Sequence, residues 1–303
     1  MRILITGATG LIGTQLCSHL LSKGHSLQIL TTRAPWQIDN TQARVFQWSP
    51  QTMQIDHHAF EGVDAIINLA GAKINQRWTT KKKRLILNSR IQSTRLLFDA
   101  VNQTKQKPHL INASAIGIYP SDFKRQYSES DTNFSNDFDG EVVRQWEEET
   151  KQFEKLSCMI TILRIGLVLS NKGGAFVPLS LPSRWGFGAW FGNGQQWQSW
   201  IHIDDLICLI DYCLQNQLEG CINATAPNPV RQRDLIQIIA KAVGAPQFLP
   251  GIPKFLMSLV LGEMHKLVYD SIYAKPQRLL MSPYQYQFPE LSSCVTDLIA
   301  KEK

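Results

Sequence analysis

Three glycines at three-residue spacing, Gly7, Gly10 and Gly13, stand in ILITGATGLIG at residues 3–13, directly behind a short apolar run. Glycine lets a backbone come close to a ligand. The first amides of a helix lack partners and carry partial positive charge, so a glycine turn opening a helix suits a pyrophosphate. Ile3-Leu4-Ile5 reads as a buried strand. The apolar positions Leu11, Ile12, Leu16, Leu20 and Leu21 give a helix from Leu11 to Lys23 with one buried stripe. The glycines therefore fall between strand and helix. A tight turn can also need glycine for packing alone, and both uses stay open here.

In a dinucleotide-binding βαβ unit of the Rossmann type, an acid about 20 residues past the glycines accepts from the ribose 2′-hydroxyl, and a nearby arginine accommodates a 2′-phosphate. The spacing here is GxxGxxG. Strand two ends at Thr31-Thr32-Arg33, with Arg33 and no carboxylate at that place. NADP(H) is favoured over NAD(H), against the alternative of a surface arginine at a strand end.

The elements that must position these groups follow from periodicity. Strands are expected at His25–Thr31, Ala43–Trp48, Asp64–Leu69, Pro108–Ser114, Met159–Ile165 and Gly220–Ala224. Helices are expected at about Thr79–Val101, Asp139–Lys155, Arg231–Val243 and Pro253–Leu261, and within Trp200–Asn216, where Asp204 or Asp205 would cap. Strands alternating with helices argue an α/β fold, a doubly wound parallel sheet covered on both faces. Beyond Ser170 glycine and tryptophan become dense through Trp200, and the alternation stops. The expected division is 1–170 with 200–226 as the nucleotide-binding domain, and 171–199 with 227–303 as a smaller C-terminal substrate lobe.

The chain has 303 residues, 44% of them hydrophobic, enough for one large core or two modest ones. The net charge of +6 has one dense run, Lys81-Lys82-Lys83-Arg84, read as a solvated helix face; no aromatic-interleaved basic stripe points to nucleic acid. The six cysteines form no CxxC pair and no His-Cys cluster at zinc spacing, so no metal site is expected and the thiols read as reduced core residues. The first apolar run ends at Thr6 and no uninterrupted apolar window is long enough for a membrane span, which predicts a cytoplasmic protein without a membrane partner.

TGATGLIG, Asn68-Leu69-Ala70-Gly71 and Ser114-Ala115-Ile116-Gly117-Ile118-Tyr119 occur in order and at fitting distances. Together they resemble the extended branch of the short-chain dehydrogenase/reductase superfamily, the NAD-dependent epimerase/dehydratase type. Arg77-Trp78, Asn88-Ser89-Arg90, RIGLVLS (164–170), SWIHIDDL (199–206), NATAPNPV (223–230), Leu261-Gly262-Glu263 and KPQRLL (275–280) resemble a subgroup with its own C-terminal domain. The resemblance spans essentially the whole chain. It implies a cofactor over Gly7, Thr9, Gly10, Leu11, Ile12 and Gly13, with Thr32 and Arg33 at its adenosine end and Leu69-Ala70-Gly71 beneath. Ala113, Ser114, Ile165 and Gly166 would lie near the nicotinamide. Arg77, Trp78, Tyr119 and Trp200 would face a substrate. A homodimer through helices flanking the sheet is a further implication.

The same resemblance implies a catalytic tyrosine whose phenol is tuned by a lysine four residues on, with a serine polarising the substrate oxygen. Ser114 occupies the serine position. No tyrosine here has lysine four residues later, and the helix expected to carry the pair reads FDGEVVRQWEEE. Tyr119 is the nearest candidate donor; a tyrosine so placed also serves as a pocket wall or hydrogen-bonding anchor. His202 beside a helix cap reads as a structural hydrogen-bonding group. Two functions follow. One is an NADP(H)-binding oxidoreductase or epimerase with an atypical site, acting on an unidentified substrate such as a nucleotide-linked sugar or another small carbonyl compound. The other is a non-catalytic protein that senses NADP(H) and signals through a partner. The GFGAWFGNGQQWQSW segment favours an enclosed substrate. Arg77, Arg90 and Arg278 could meet an anion or form interdomain ion pairs.

Overall fold

A computed structural model describes residues 1–34, 42–104, 106–247 and 249–302. In chain order it runs β1 (Arg2–Thr6), α1 (Leu11–Ser22), β2 (Ser26–Thr31), β3 (Ala43–Ser49), β4 (Gln54–Ile55), β5 (Ala65–Asn68) and α2 (Thr80–Asn102). β6 (His109–Ala115), β7 (Gln126–Tyr127), α3 (Phe138–Lys151), β8 (Ile160–Ile165), β9 (Leu167–Ser170) and β10 (Gly173–Gly174) follow. Next are α4 (Phe176–Arg184), β11 (Trp197–Gln198), β12 (Trp200–His202), α5 (Ile203–Gln215) and β13 (Gly220–Ala224). The tail adds β14 (Val230–Arg231), α6 (Gln232–Ala242), α7 (Lys254–Leu261), α8 (Lys266–Tyr269), β15 (Tyr273–Ala274), α9 (Gln277–Leu280) and α10 (Leu291–Ala300).

Eight strands form the central sheet in the order β13-β8-β6-β5-β1-β2-β3-β4, parallel except where β4 closes the edge antiparallel to β3. Alternation along β1 explains how both faces are covered. Ile3 and Ile5 join Leu16 and Leu20 of α1 and Leu206, Leu209 and Ile210 of α5; Leu4 points the other way, to Leu96, Leu97 and Ala100 of α2. The chain leaves β1 toward β2 on one side and reaches β5 on the other, so the strand order reverses between β1 and β5. A crevice at such a reversal, outside the carboxyl ends of the strands, is where open α/β sheets bind ligands.

A further apolar cluster gathers Leu169, Phe176, Trp200, Leu235, Ile239, Leu291, Val295 and Leu298, drawn largely from chain beyond residue 170. Two expected details differ. α3 ends at Lys151, and a 3-10 turn continues to Leu156 before Ser157 reverses it at φ 56. Neither Asp204 nor Asp205 caps α5: His202 Nδ1 accepts from the Asp204 amide at 3.0 Å, while Asp205 accepts from the amides of Gln287 and Phe288. No helix among the described residues is long and apolar enough to cross a membrane.

Candidate functional site

The glycine turn is built by close backbone contact. Gly7 takes φ +70, and a Cβ there would lie 2.7 Å from the Leu69 carbonyl oxygen; a Cβ on Gly13 would lie 2.2 Å from the Gly7 oxygen. The turn thus locks the loop after β1 against the loop after β5 and seats α1 upon it. Gly10 is the N-cap and offers no side-chain cap to the amides that follow; the first helical bond runs from Thr14 to Gly10 at 3.0 Å. The amides of Leu11, Ile12 and Gly13 precede it, which is the anion-binding arrangement of a helix start.

Beside this turn opens a cavity of about 1070 Å³. Of the expected cofactor residues, Gly7, Thr9, Thr32, Arg33, Ala70 and Gly71 line it. Its other walls were not foreseen: Gln47–Gln51 with Gln54 and Ile55 on one side, and a face of α2 on the other. That face carries Arg84, Asn88 and Gln92 at four-residue spacing, with Leu85, Ser89 and Ser93 beside them. Arg84 therefore belongs to the cavity and not simply to the solvated basic face of Lys81-Lys82-Lys83-Arg84. The four-residue repeat was the available signal. Among the described residues lining the cavity, Arg33 and Arg84 are the charged ones and none is a carboxylate.

Ser114, Tyr119 and the expected substrate residues Arg77, Trp78 and Trp200 are not among the residues that line this cavity. Ser114 Oγ donates to Glu147 Oε1 at 2.6 Å, and Glu147 is held by Arg164 through two bonds of 2.9 Å, from Nε and Nη2. Burial opposes the Arg164 charge, but the Glu147 carboxylate overrides it and holds the guanidinium above its ordinary pKa. Tyr119 is buried; its hydroxyl accepts from Arg164 Nη1 at 2.9 Å and lies 2.9 Å from both the Ser128 carbonyl and Asn223 Oδ1. Burial pushes that phenol up to about 12, partly offset by Arg164. Tyr119 is thus an anchor in the core, the second of its two possible roles.

Trp200 is fully buried and donates to the Asn228 carbonyl, and Trp78 donates to the Ile74 carbonyl and meets Phe138 edge-on at 4.9 Å. Arg77 is exposed beside Gly262. These four residues do not converge on one pocket, because the large rings fill separate packing clusters. Ala113 is buried in β6. Gly166 lets β12 pass closely, since its Cβ would sit 2.3 Å from the Ser199 carbonyl oxygen; Ile165 ends β8 beside it.

At the start of α3, where a tyrosine–lysine pair was sought, stands Asp139. It is 5% exposed, Oδ1 has no hydrogen-bond partner among the described residues, and a Cβ on Gly117 would lie 3.1 Å from Oδ2. Burial raises its carboxyl. Asp270 is pushed up to about 6 by burial and then by the charges of Asp139 and Asp137. Sequence reasoning missed both, since nothing local marks an aspartate as buried.

His202, Asp204 and Asp297 cluster closely enough to suggest a metal. Because Nδ1 of His202 accepts an amide, its proton sits on Nε2 and is donated to Asp297 at 3.2 Å. Lys301 Nζ bonds both carboxylates, at 2.7 and 2.8 Å, and supplies the cation itself.

Residues 3–140 match the model of the NAD dependent epimerase/dehydratase family, and residues 252–298 match a domain of unknown function. The chain is 37% identical over 302 residues to an epimerase family protein of Staphylococcus aureus strain MRSA252, covering 99% of each. A Staphylococcus epidermidis counterpart is 36% identical, with 98% and 99% covered. The human epimerase family protein SDR39U1, solved with NADPH, superposes with TM-score 0.88 at 28% identity, covering 99% of both chains. A nucleoside-diphosphate sugar epimerase of Corynebacterium glutamicum gives 0.80 at 27% identity, covering 98% of this chain and 58% of that one. Glycine turn, strand reversal and whole-length similarity agree: the chain belongs to the NAD-dependent epimerase/dehydratase family, in the group that carries this additional C-terminal domain.

Proposed function

We propose that the protein binds NADP(H) in preference to NAD(H) and is an oxidoreductase or epimerase-like enzyme with an atypical active site. The observation that carries this reading is the charge of the cavity: among the described residues that line it, Arg33 and Arg84 are charged and none is a carboxylate. Guanidinium forks suit a phosphate, whereas a ribose 2′-hydroxyl is better met by an acid. The residues fit a dinucleotide. Unpaired amides at the start of α1 would hold the diphosphate, Gly7 admits its close approach, and Arg33 with Arg84 would hold a 2′-phosphate. Human SDR39U1, solved with NADPH, supports the same choice. The bound nicotinamide would supply or accept a hydride. A cytoplasmic setting is supported by six free cysteines.

The second reading, a cofactor-sensing protein without turnover, draws on Ser114 being tied to Glu147 and the Tyr119 hydroxyl being engaged by three partners. Calorimetry tests the cofactor. Arg33→Ala and Arg84→Ala are expected to weaken NADPH by at least tenfold and leave NADH little changed; equal loss of both refutes the assignment. NADPH oxidation across a panel of carbonyl compounds and nucleotide sugars then separates the two functions. Turnover excludes the sensor, and cofactor-dependent partner binding with no turnover excludes the enzyme.

A further inference from the structure

Arg90 of α2 is half-buried and has no carboxylate within ion-pair distance among the described residues. Its Nη1 donates to the carbonyls of Ala72 at 3.2 Å and Ile86 at 2.9 Å, and its guanidinium lies 5.1 Å from the Trp146 ring centre. Gly71 makes room for it: a Cβ there would sit 3.2 Å from Arg90 Cζ. Gly71 and Ala72 line the cavity, and the Leu69 carbonyl just before them abuts Gly7 of the glycine turn. The guanidinium is therefore fixed against the backbone of Gly71 and Ala72, on the far side of residues that line the cavity. Loss of water alone pulls its pKa down to about 10, so it stays charged at neutral pH. A desolvated cation held by two carbonyls and a ring face is costly until an anion arrives. Arg77 and Arg278 differ, being exposed chiefly to solvent.

We propose that Arg90 is an oxyanion-binding residue of the cofactor site, and that its partner is the diphosphate of the dinucleotide, reached across Gly71. This rests on the NADP(H) reading above. It gives the diphosphate a cation from α2 opposite the amides of α1, in a chain whose α3 carries no lysine in FDGEVVRQWEEE. The rival source of the same chemistry is an acidic group on the second substrate.

The test compares two probes, NADPH and adenosine 2′-monophosphate, which keeps the 2′-phosphate and lacks the diphosphate. Arg90→Gln is expected to weaken NADPH at least tenfold and leave the monophosphate within twofold, while Arg90→Lys recovers most of the NADPH affinity. Unchanged NADPH binding in Arg90→Gln overturns the proposal and leaves the substrate acid as the partner. Parallel loss of both probes, in the glutamine and the lysine variants alike, also overturns it by showing a packing role. Wild-type protein that binds neither probe defeats the cofactor reading instead.

Discussion

Ser114 Oγ donates to the buried carboxylate of Glu147, and Glu147 is clasped by Arg164, which in turn donates to Tyr119. The serine expected to meet a substrate oxygen is thus one end of a core network joining β6, α3 and β8. Glu147→Gln leaves a buried guanidinium without its counter-charge and should cost about 3–5 kcal/mol. Ser114→Ala removes one bond to a charged acceptor and should cost about 1.5–3 kcal/mol. Urea denaturation reads both. Unchanged NADPH affinity in Ser114→Ala is expected; a lost affinity at unchanged stability would return Ser114 to the cofactor site.

This network also shows why sequence reached one part of the site and not another. The glycine turn was legible because its causes are local: three glycines between one strand and the start of one helix, all within the first 13 residues. Arg33 was legible because strand two delivers it a fixed distance from that turn. Arg164 and Glu147 lie 17 residues apart on different elements, and Tyr119 meets Asn223 across 104 residues. Such pairs exist only once the sheet is assembled. Arg84 lay between: its helix was anticipated, but which side of α2 faces the cavity depends on β3 and β4 closing the opposite wall. The family resemblance placed Trp200 and Trp78 toward a substrate, yet their size equally suits them to fill packing interfaces.

The three glycines of the turn are not equivalent. A Cβ on Gly13 meets the backbone of Gly7 and Ala8 at 2.2 and 2.7 Å, whereas on Gly10 the nearest backbone atom is 3.2 Å away. Backbone cannot step aside as a flexible side chain can, so Gly13→Ala must push α1 off β1. It should lower the thermal midpoint by several degrees and abolish NADPH binding, while Gly10→Ala keeps most of the stability and loses affinity through crowding of the ligand. Equal midpoints for the two variants would show that α1 is not seated through Gly13.

Asp270 titrates near 6 in the folded chain, against an ordinary 3.8, because burial and the charges of Asp139 and Asp137 disfavour its ionised form. A hydrogen bond from Ser121 and the nearby Lys266 ammonium, itself paired with Asp137, offset this only in part. The folded state therefore holds a proton that the unfolded chain has released across the window between those two values, so stability falls as pH rises through it and stays lower above it. Asn mimics the protonated carboxyl without being able to ionise. Asp270→Asn should then gain thermal stability over the wild type as pH rises from 4 to 7.5, with the gap levelling off above about 7. Midpoints measured across that range decide it: a difference independent of pH would mean that Asp270 ionises in the folded chain as readily as in the unfolded one, and that its neighbours Asp139 and Asp137 exert no hold on it.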